Sequence, residues 1–136
     1  MAVRQLVYIS TVRDPRGLDF AAIERGSQRR NAQDGLSGLL LFDGHRFLQV
    51  LEGPADGVDR AMARIRGDAR HWALVVLSDR TVPVPAFGRW AMLCRDARSA
   101  GRALPQLIAA HLGDADASLR ATLTGFAQVA EARAAA

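Results

Sequence analysis

Apolar residues alternate or run in short blocks over the first two thirds of the chain, then recur at helical spacing over the last third. VRQLVYIST at 3–11 is rich in β-branched and aromatic types and predicts a strand, closed by the turn signal Asp14-Pro15-Arg16-Gly17. Phe20, Ile23, Ser27, Arg30 and Asn31 return at helical steps, which predicts a helix ending at Asp34-Gly35. LSGLLLF and HRFLQVLEG read as two strands, and Asp43-Gly44 between them is a preferred dipeptide of a two-residue hairpin turn. Pro54 stands where the first turn of a second helix tolerates proline, and Val58, Ala61, Met62 and Ile65 make that helix's apolar stripe. ALVVLSDRTV predicts a buried strand and Pro83 and Pro85 a loop. RWAMLC predicts a short last strand with Trp90, Met92 and Cys94 on one face. The order is βαββαββ.

Past residue 96 the chain turns to Ala and Leu. Leu104, Leu107, Ile108 and Leu112 form one stripe, and Leu119, Leu123, Phe126 with Val129 or Ala130 form another. Gly113-Asp114 punctuates the two, and the terminal EARAAA is expected to fray. Helices this short need a surface to cover. The first two helices occupy one sheet face. The hairpin is therefore expected on the other, over Val7, Ile9, Leu48, Val50 and alternate residues of ALVVLS. Any apolar strip left uncovered is expected to form a homo-oligomer contact. Residues 1–96 thus read as the sheet-and-helix unit, and 97–136 as a helical hairpin extending it.

Polar residues on the inward face are the anomalies in this pattern. Leu6, Tyr8 and Ser10 share a face of the first strand; His45, Phe47, Gln49 and Leu51 share one in the third; Ile23 is followed at steps of four by Ser27 and Asn31. A phenol and two carboxamides therefore point inward, each costing about 1–3 kcal/mol if left unpaired. They must pair with one another or meet a ligand. A planar polar heterocycle with donors and acceptors on its edge would satisfy all three, and the sequence pattern alone does not identify it. Arg64 and Asp68 stand at i,i+4, the spacing of a surface ion pair, followed by Arg70 and His71.

Composition narrows the classes. The chain is 49% hydrophobic and 24% charged, as globular domains are, and no apolar run approaches the roughly 18–20 residues of a membrane span. With no signal-peptide pattern at the N-terminus, a soluble cytoplasmic protein is expected. All 18 cations are arginine and the net charge is only +4, without a basic stripe, so nucleic-acid binding has little electrostatic support. His45, His71 and His111 are scattered and Cys94 is a single cysteine, so no metal site is proposed. No phosphate loop, nucleophile elbow or Cys-His pairing is present, and enzymatic chemistry has no visible centre.

QLVYIS, SQRRNAQDGLSGLLLFDGHRFLQVLEGP, RIRGDARH and FGRWAM, in that order, closely resemble the BLUF family of blue-light sensors that use FAD. The resemblance runs from 4 to 94 and leaves the C-terminal helices outside it. It implies an α+β fold, a ferredoxin-like βαββαββ sheet with two flavin-binding helices on one face, the C-terminal hairpin being expected on the other. It also implies FAD as cofactor, with FMN or riboflavin able to substitute. Tyr8 matches the photoactive tyrosine that donates an electron and a proton, and Gln49 the glutamine that bonds between that tyrosine and the flavin and rearranges. Asn31 matches the asparagine holding the ring's C4 carbonyl and N3 edge; Arg64 and Asp68 resemble positions near the C2 edge. Ile23 and Ile65 resemble the aliphatic pair enclosing the ring, and Ser27 lies between Ile23 and Asn31 on the same helix face. Arg70 and His71 fall in a helix-end motif near the flavin side chain or phosphate. Trp90 and Met92 match the pair that relays the change to the last strand.

Arg30 stands at a variable position, and Pro85 replaces an arginine found in many relatives. With no effector sequence attached, the chain resembles the short stand-alone members, which are not enzymes and act through a protein partner or their own oligomer; the downstream partner is not identified. Two rival classes share the element order. A ferredoxin-like nucleic-acid-binding module would need exposed aromatics and a basic track, and an acylphosphatase-like enzyme would need a phosphate-cradling loop. Neither feature is visible.

Overall fold

In a computed structural model, which describes residues 3–88, 90–98, 103–112 and 116–135, five strands form one sheet. They are β1 (Val3–Val12), β2 (Ser37–Phe42), β3 (Arg46–Gly53), β4 (His71–Val82) and β5 (Leu93–Asp96), in the spatial order β4-β1-β3-β2-β5. β1 runs antiparallel to β3 and β4, β3 antiparallel to β2, and β5 parallel to β2. Helix α1 (Phe20–Asp34) joins β1 to β2, and α2 (Ala55–Arg66) joins β3 to β4. The Asp19 carboxylate caps α1 by accepting from Ala22 N, and Gly35 ends it at φ 70°, where a side chain would be strained.

The hairpin is shifted by one residue from the sequence expectation. Asp43 N donates to Arg46 O, so Gly44 and His45 are the central residues, and Gly44 takes the positive φ of 97°. Asp43 is instead a buried anchor whose carboxylate accepts from His45 N and Arg46 N.

Two cores lie on opposite faces of the sheet. Leu6, Tyr8, Leu40, Phe47, Leu51, Met92 and Cys94 meet Ile23 of α1 and Val58, Ala61 and Met62 of α2. Val7, Leu39, Leu41, Leu48, Val50 and Leu93 meet the C-terminal helices α3 (Ala103–Leu112) and α4 (Ala117–Ala135) through Ile108, Leu112, Leu119, Leu123, Phe126, Ala127 and Ala130. Strand alternation separates the two sets, so the hairpin covers the face predicted for it. Ala130, not Val129, completes the α4 stripe, and α4 continues through most of the EARAAA segment expected to fray. The Gly113-Asp114 turn and the side chain of Leu104 lie outside the described residues.

Two expectations fail. β4 is an edge strand, not a buried one: Trp72, Val75 and Leu77 are about half exposed, because both helical layers sit over the inner strands and β5. The last strand is shorter than RWAMLC. Trp90 precedes it and packs against the α3/α4 core, whereas Met92 and Cys94 belong to the α1/α2 core, so the three do not share a face.

Candidate functional site

A cavity of about 300 Å³ opens between α1 and α2 above the sheet. Ile23 and Ile65, with Leu40 and Phe47 of the sheet, supply its apolar walls; Tyr8, Ser27, Asn31, Gln49 and His71 its polar groups; Arg30, Arg64, Asp68 and Arg70 its charges. Every residue singled out for a cofactor by the sequence is on this wall. Ile23, Ser27 and Asn31 converge because steps of four follow one helix face. Tyr8 and Gln49 converge because they are directly opposed in the β1–β3 ladder.

The floor carries a short polar chain. The Tyr8 hydroxyl donates to Gln49 Oε1, and Gln49 Nε2 lies 3.5 Å from Met92 Sδ, a weak acceptor. All three side chains are buried. Burial, then the negative charge of Asp68, pushes the Tyr8 phenol well above its ordinary pKa, so it holds its proton. Met92 reaches Gln49 past a residue without a side chain. A Cβ on Gly38 would lie 1.9 Å from the Val50 carbonyl oxygen and 3.2 Å from Met92 Cε.

Asn31 is 4% exposed, yet its side-chain amide makes no hydrogen bond to a described residue; its backbone carbonyl accepts from the N–H groups of Gly35 and Leu36 at the helix end. A nearly buried amide that faces a cavity without a protein partner is free to bond whatever occupies the cavity. His71 differs. Its Nε2 faces the Ile65 carbonyl, which can only accept, so Nε2 carries the proton; Nδ1 lies 2.7 Å from Ser10 Oγ. Both nitrogens are thus committed to the protein, and His71 forms wall. Arg64 and Asp68 do not pair with each other. Arg64 binds Asp34 at 2.9 Å and Asp68 binds Arg70 at 2.5 Å, whose guanidinium holds the Asp68 carboxyl below its usual range. Trp90 lies away from this cavity, so Met92 is the member of the Trp90/Met92 pair beside Gln49.

Sequence reasoning missed two features. Arg30, Leu40 and Phe47 also line the cavity; Leu40 could have been found as the cross-strand neighbour of Gln49, and Phe47 from its place in the alternating set with Gln49. On the opposite face, buried Glu52 accepts from Ala86 N at 2.7 Å, Phe87 N at 2.8 Å and Gln5 Nε2 at 2.9 Å. Gln5 Oε1 in turn accepts from Arg80, which is ion-paired to Asp116 just ahead of α4. No sequence signal pairs Gln5 with Glu52 until the β1–β3 register is known. Among the described residues there is no metal-binding cluster and no helix long and apolar enough to cross a membrane.

Comparison with known proteins agrees with the geometry. Residues 3–93 match the family model described as BLUF, sensors of blue-light using FAD. A photoactivated adenylate cyclase subunit beta of Euglena longa is 42% identical over 89 residues, covering 64% of this chain and 10% of that protein. The dark-state structure of BlrB, a BLUF protein, superposes with a TM-score of 0.71 at 28% identity, over 93% of this chain and 96% of the other. Klebsiella pneumoniae BlrP1 with FMN and cyclic diGMP superposes with a TM-score of 0.82 at 26% identity, over 93% of this chain but 34% of the other. The chain therefore spans only a tenth of the cyclase subunit and nearly all of BlrB.

Proposed function

The chain belongs to the BLUF family, sensors of blue light using FAD, and from that premise we propose that it is itself a flavin-based light sensor, with Tyr8 and Gln49 as the photoactive pair. The observation that carries the reading is the Tyr8–Gln49–Met92 chain on the floor of a cavity into which the Asn31 amide turns without a protein partner. Apolar walls from Ile23, Ile65, Leu40 and Phe47, with amides and a phenol at the edge, fit a planar heteroaromatic ring that has donors and acceptors on its rim. Asn31 and Gln49 would hold that rim, Ile23 and Ile65 its faces, and Ser27, Arg64, Asp68 and Arg70 the polar mouth. FAD is the proposed resident, with FMN and riboflavin as substitutes.

When bound, a flavin absorbs blue light and becomes a strong one-electron oxidant. Tyr8 is the buried donor at the cavity floor. Giving up an electron would make its phenolic proton strongly acidic, and the proton would pass along the existing hydrogen bond to Gln49 Oε1; return of the electron and the proton to Tyr8 would restore the redox state and leave only the Gln49 hydrogen-bond arrangement changed. Gln49 is the bistable element, because its amide offers an acceptor on one side and two donors on the other, and rotation exchanges them. In the present rotamer the oxygen faces Tyr8 and the nitrogen Met92. The rotated amide removes the Met92 contact and frees that side chain and the loop that carries it.

The output passes from Met92 into β5 and on to the C-terminal hairpin, which we treat as an extension of the 1–96 unit. The chain signals as a sensor, not an enzyme, through a protein partner or a second copy; the exposed strip Trp72, Val75 and Leu77 on β4 is the proposed contact between copies. The purified protein should be yellow, or become so with added flavin, and shift reversibly to the red under blue light. A protein that stays colourless after flavin is supplied refutes the reading.

A further inference from the structure

Three arginines line the cavity, and two of them are spoken for: Arg64 by Asp34 and Arg70 by Asp68. The Arg30 guanidinium forms no hydrogen bond or ion pair with any described residue, although the residue is partly buried. Its guanidinium lies over Gly26, one helical turn back on α1; a Cβ built there would stand 3.2 Å from both terminal nitrogens, so the missing side chain at 26 is what lets the group lie down against the helix. Long side chains on helices lean toward the N-terminus, which brings residue 30 over residue 26. A cation that is half removed from water, held flat and left unpaired at a cavity mouth calls for an anion, and a guanidinium fork matches phosphate oxygens in particular.

Resting on the flavin reading of this cavity, we propose that Arg30 is the phosphate-binding residue, so that the protein selects phosphorylated flavins over riboflavin. Arg64 and Arg70 are less suited, since each would have to leave a carboxylate at 2.9 or 2.5 Å to serve. Arg30 leaves nothing behind.

The test is titration of the full chain, freed of flavin, with riboflavin and with FMN, followed by flavin fluorescence quenching. Wild type should bind FMN about five- to tenfold more tightly than riboflavin, the range of a partly exposed charge-assisted contact, and added salt should shrink that ratio. Arg30→Gln should bring the ratio close to one while leaving riboflavin affinity unchanged, and Arg30→Lys should keep part of it. An unchanged ratio in Arg30→Gln overturns the proposal, as does an equal loss for both ligands, which would put Arg30 on the ring. If Arg70→Gln abolishes the preference and Arg30→Gln does not, the phosphate belongs to Arg70. Wild type binding neither ligand would overturn the flavin reading and this proposal with it, whereas the other failures leave that reading standing.

Discussion

Glu52→Gln should destabilise the fold through a change of one atom, on the sheet face away from the cavity. In the wild type one carboxylate oxygen accepts from Ala86 N and Gln5 Nε2, and the other from Phe87 N. A glutamine at 52 can keep the first two bonds only by turning its NH2 against the Phe87 N–H, 2.8 Å away in the wild type, so donor meets donor. Flipping Gln5 to offer its oxygen does not help, because the Gln5 oxygen already accepts from Arg80, and the conflict moves there. One buried N–H and one amide N–H therefore go unpaired at about 1–3 kcal/mol each, and the remaining bonds lose their charge assistance. Release from burying a charge offsets part of this, leaving roughly 2–4 kcal/mol. At about 3–4 °C per kcal/mol for a chain of this size, the thermal midpoint should fall by about 10 °C. Far-UV circular dichroism melts at pH 7 read this directly, and limited proteolysis should show cutting between Val82 and Met92 before the melt. A midpoint within about 2 °C of wild type would show that the carboxylate does not hold the loop.

Tyr8→Phe and Gln49→Leu should both retain flavin and lose the light-induced red shift, whereas Asn31→Ala should mainly weaken flavin retention; a normal photocycle in Tyr8→Phe would remove the electron-donor assignment. Truncation after Ala97 strips α3 and α4 from Val7, Leu39, Leu41, Leu48 and Val50, and should cause aggregation or altered oligomeric state while sparing the cavity; size-exclusion chromatography would refute this if the soluble species were unchanged. Acid should erode stability in a defined window. Hydrogen bonds from Arg70 and Arg4 hold the Asp68 and Asp79 carboxyls below the ordinary aspartate range, so their contribution is complete above that range and is lost as pH falls through the depressed folded values. Denaturant midpoints between about pH 5 and 2 should fall less steeply in Asp68→Asn than in wild type.

The element order and the Ile23-Ser27-Asn31 and Tyr8-Gln49 parts of the cavity wall were legible in the sequence because they follow from periodicity, whereas Arg64, Asp68, Arg70 and His71 were reached only through the family resemblance. Steps of four align Ile23, Ser27 and Asn31, and steps of two put Tyr8 and Gln49 on the helix side. What failed depended on position within the sheet, which local pattern does not encode. ALVVLSDRTV has the composition of an inner strand, yet topology puts it at the edge, where its apolar residues meet solvent or a partner. Trp90 and Met92 stand two apart, as strand alternation would place them on one face, but β5 begins only at Leu93, so the Trp90 side chain is free to take the other side. The Gln5–Glu52–Arg80–Asp116 chain joins four elements distant in sequence, and no single-strand pattern predicts it.

If Gln49 rearranges as proposed, the reach of that small event to the far face depends on what it can move. Exchanging one hydrogen bond in the interior is worth on the order of 1 kcal/mol, which shifts a two-state equilibrium about fivefold. That cannot disturb β1 or β3, each paired on both sides and buried. It can bias β5. This strand has four residues, pairs among the described residues with β2 alone, and is entered from the loop whose Met92 touches Gln49. Past its end, Ala97 N binds the Phe42 carbonyl and Ala97 packs into the α3/α4 core. The hairpin itself is tethered at both ends of α4, by Asp116 to Arg80 and by Arg133 to Asp43 at 3.6 Å. A shift of β5 would therefore meet a helix pair tethered at both ends of α4 and packed on the sheet through Leu123 and Phe126. The Arg80 tether runs through Gln5 to Glu52, which also holds the loop carrying Met92, so weakening Glu52 should loosen both ends of this route at once.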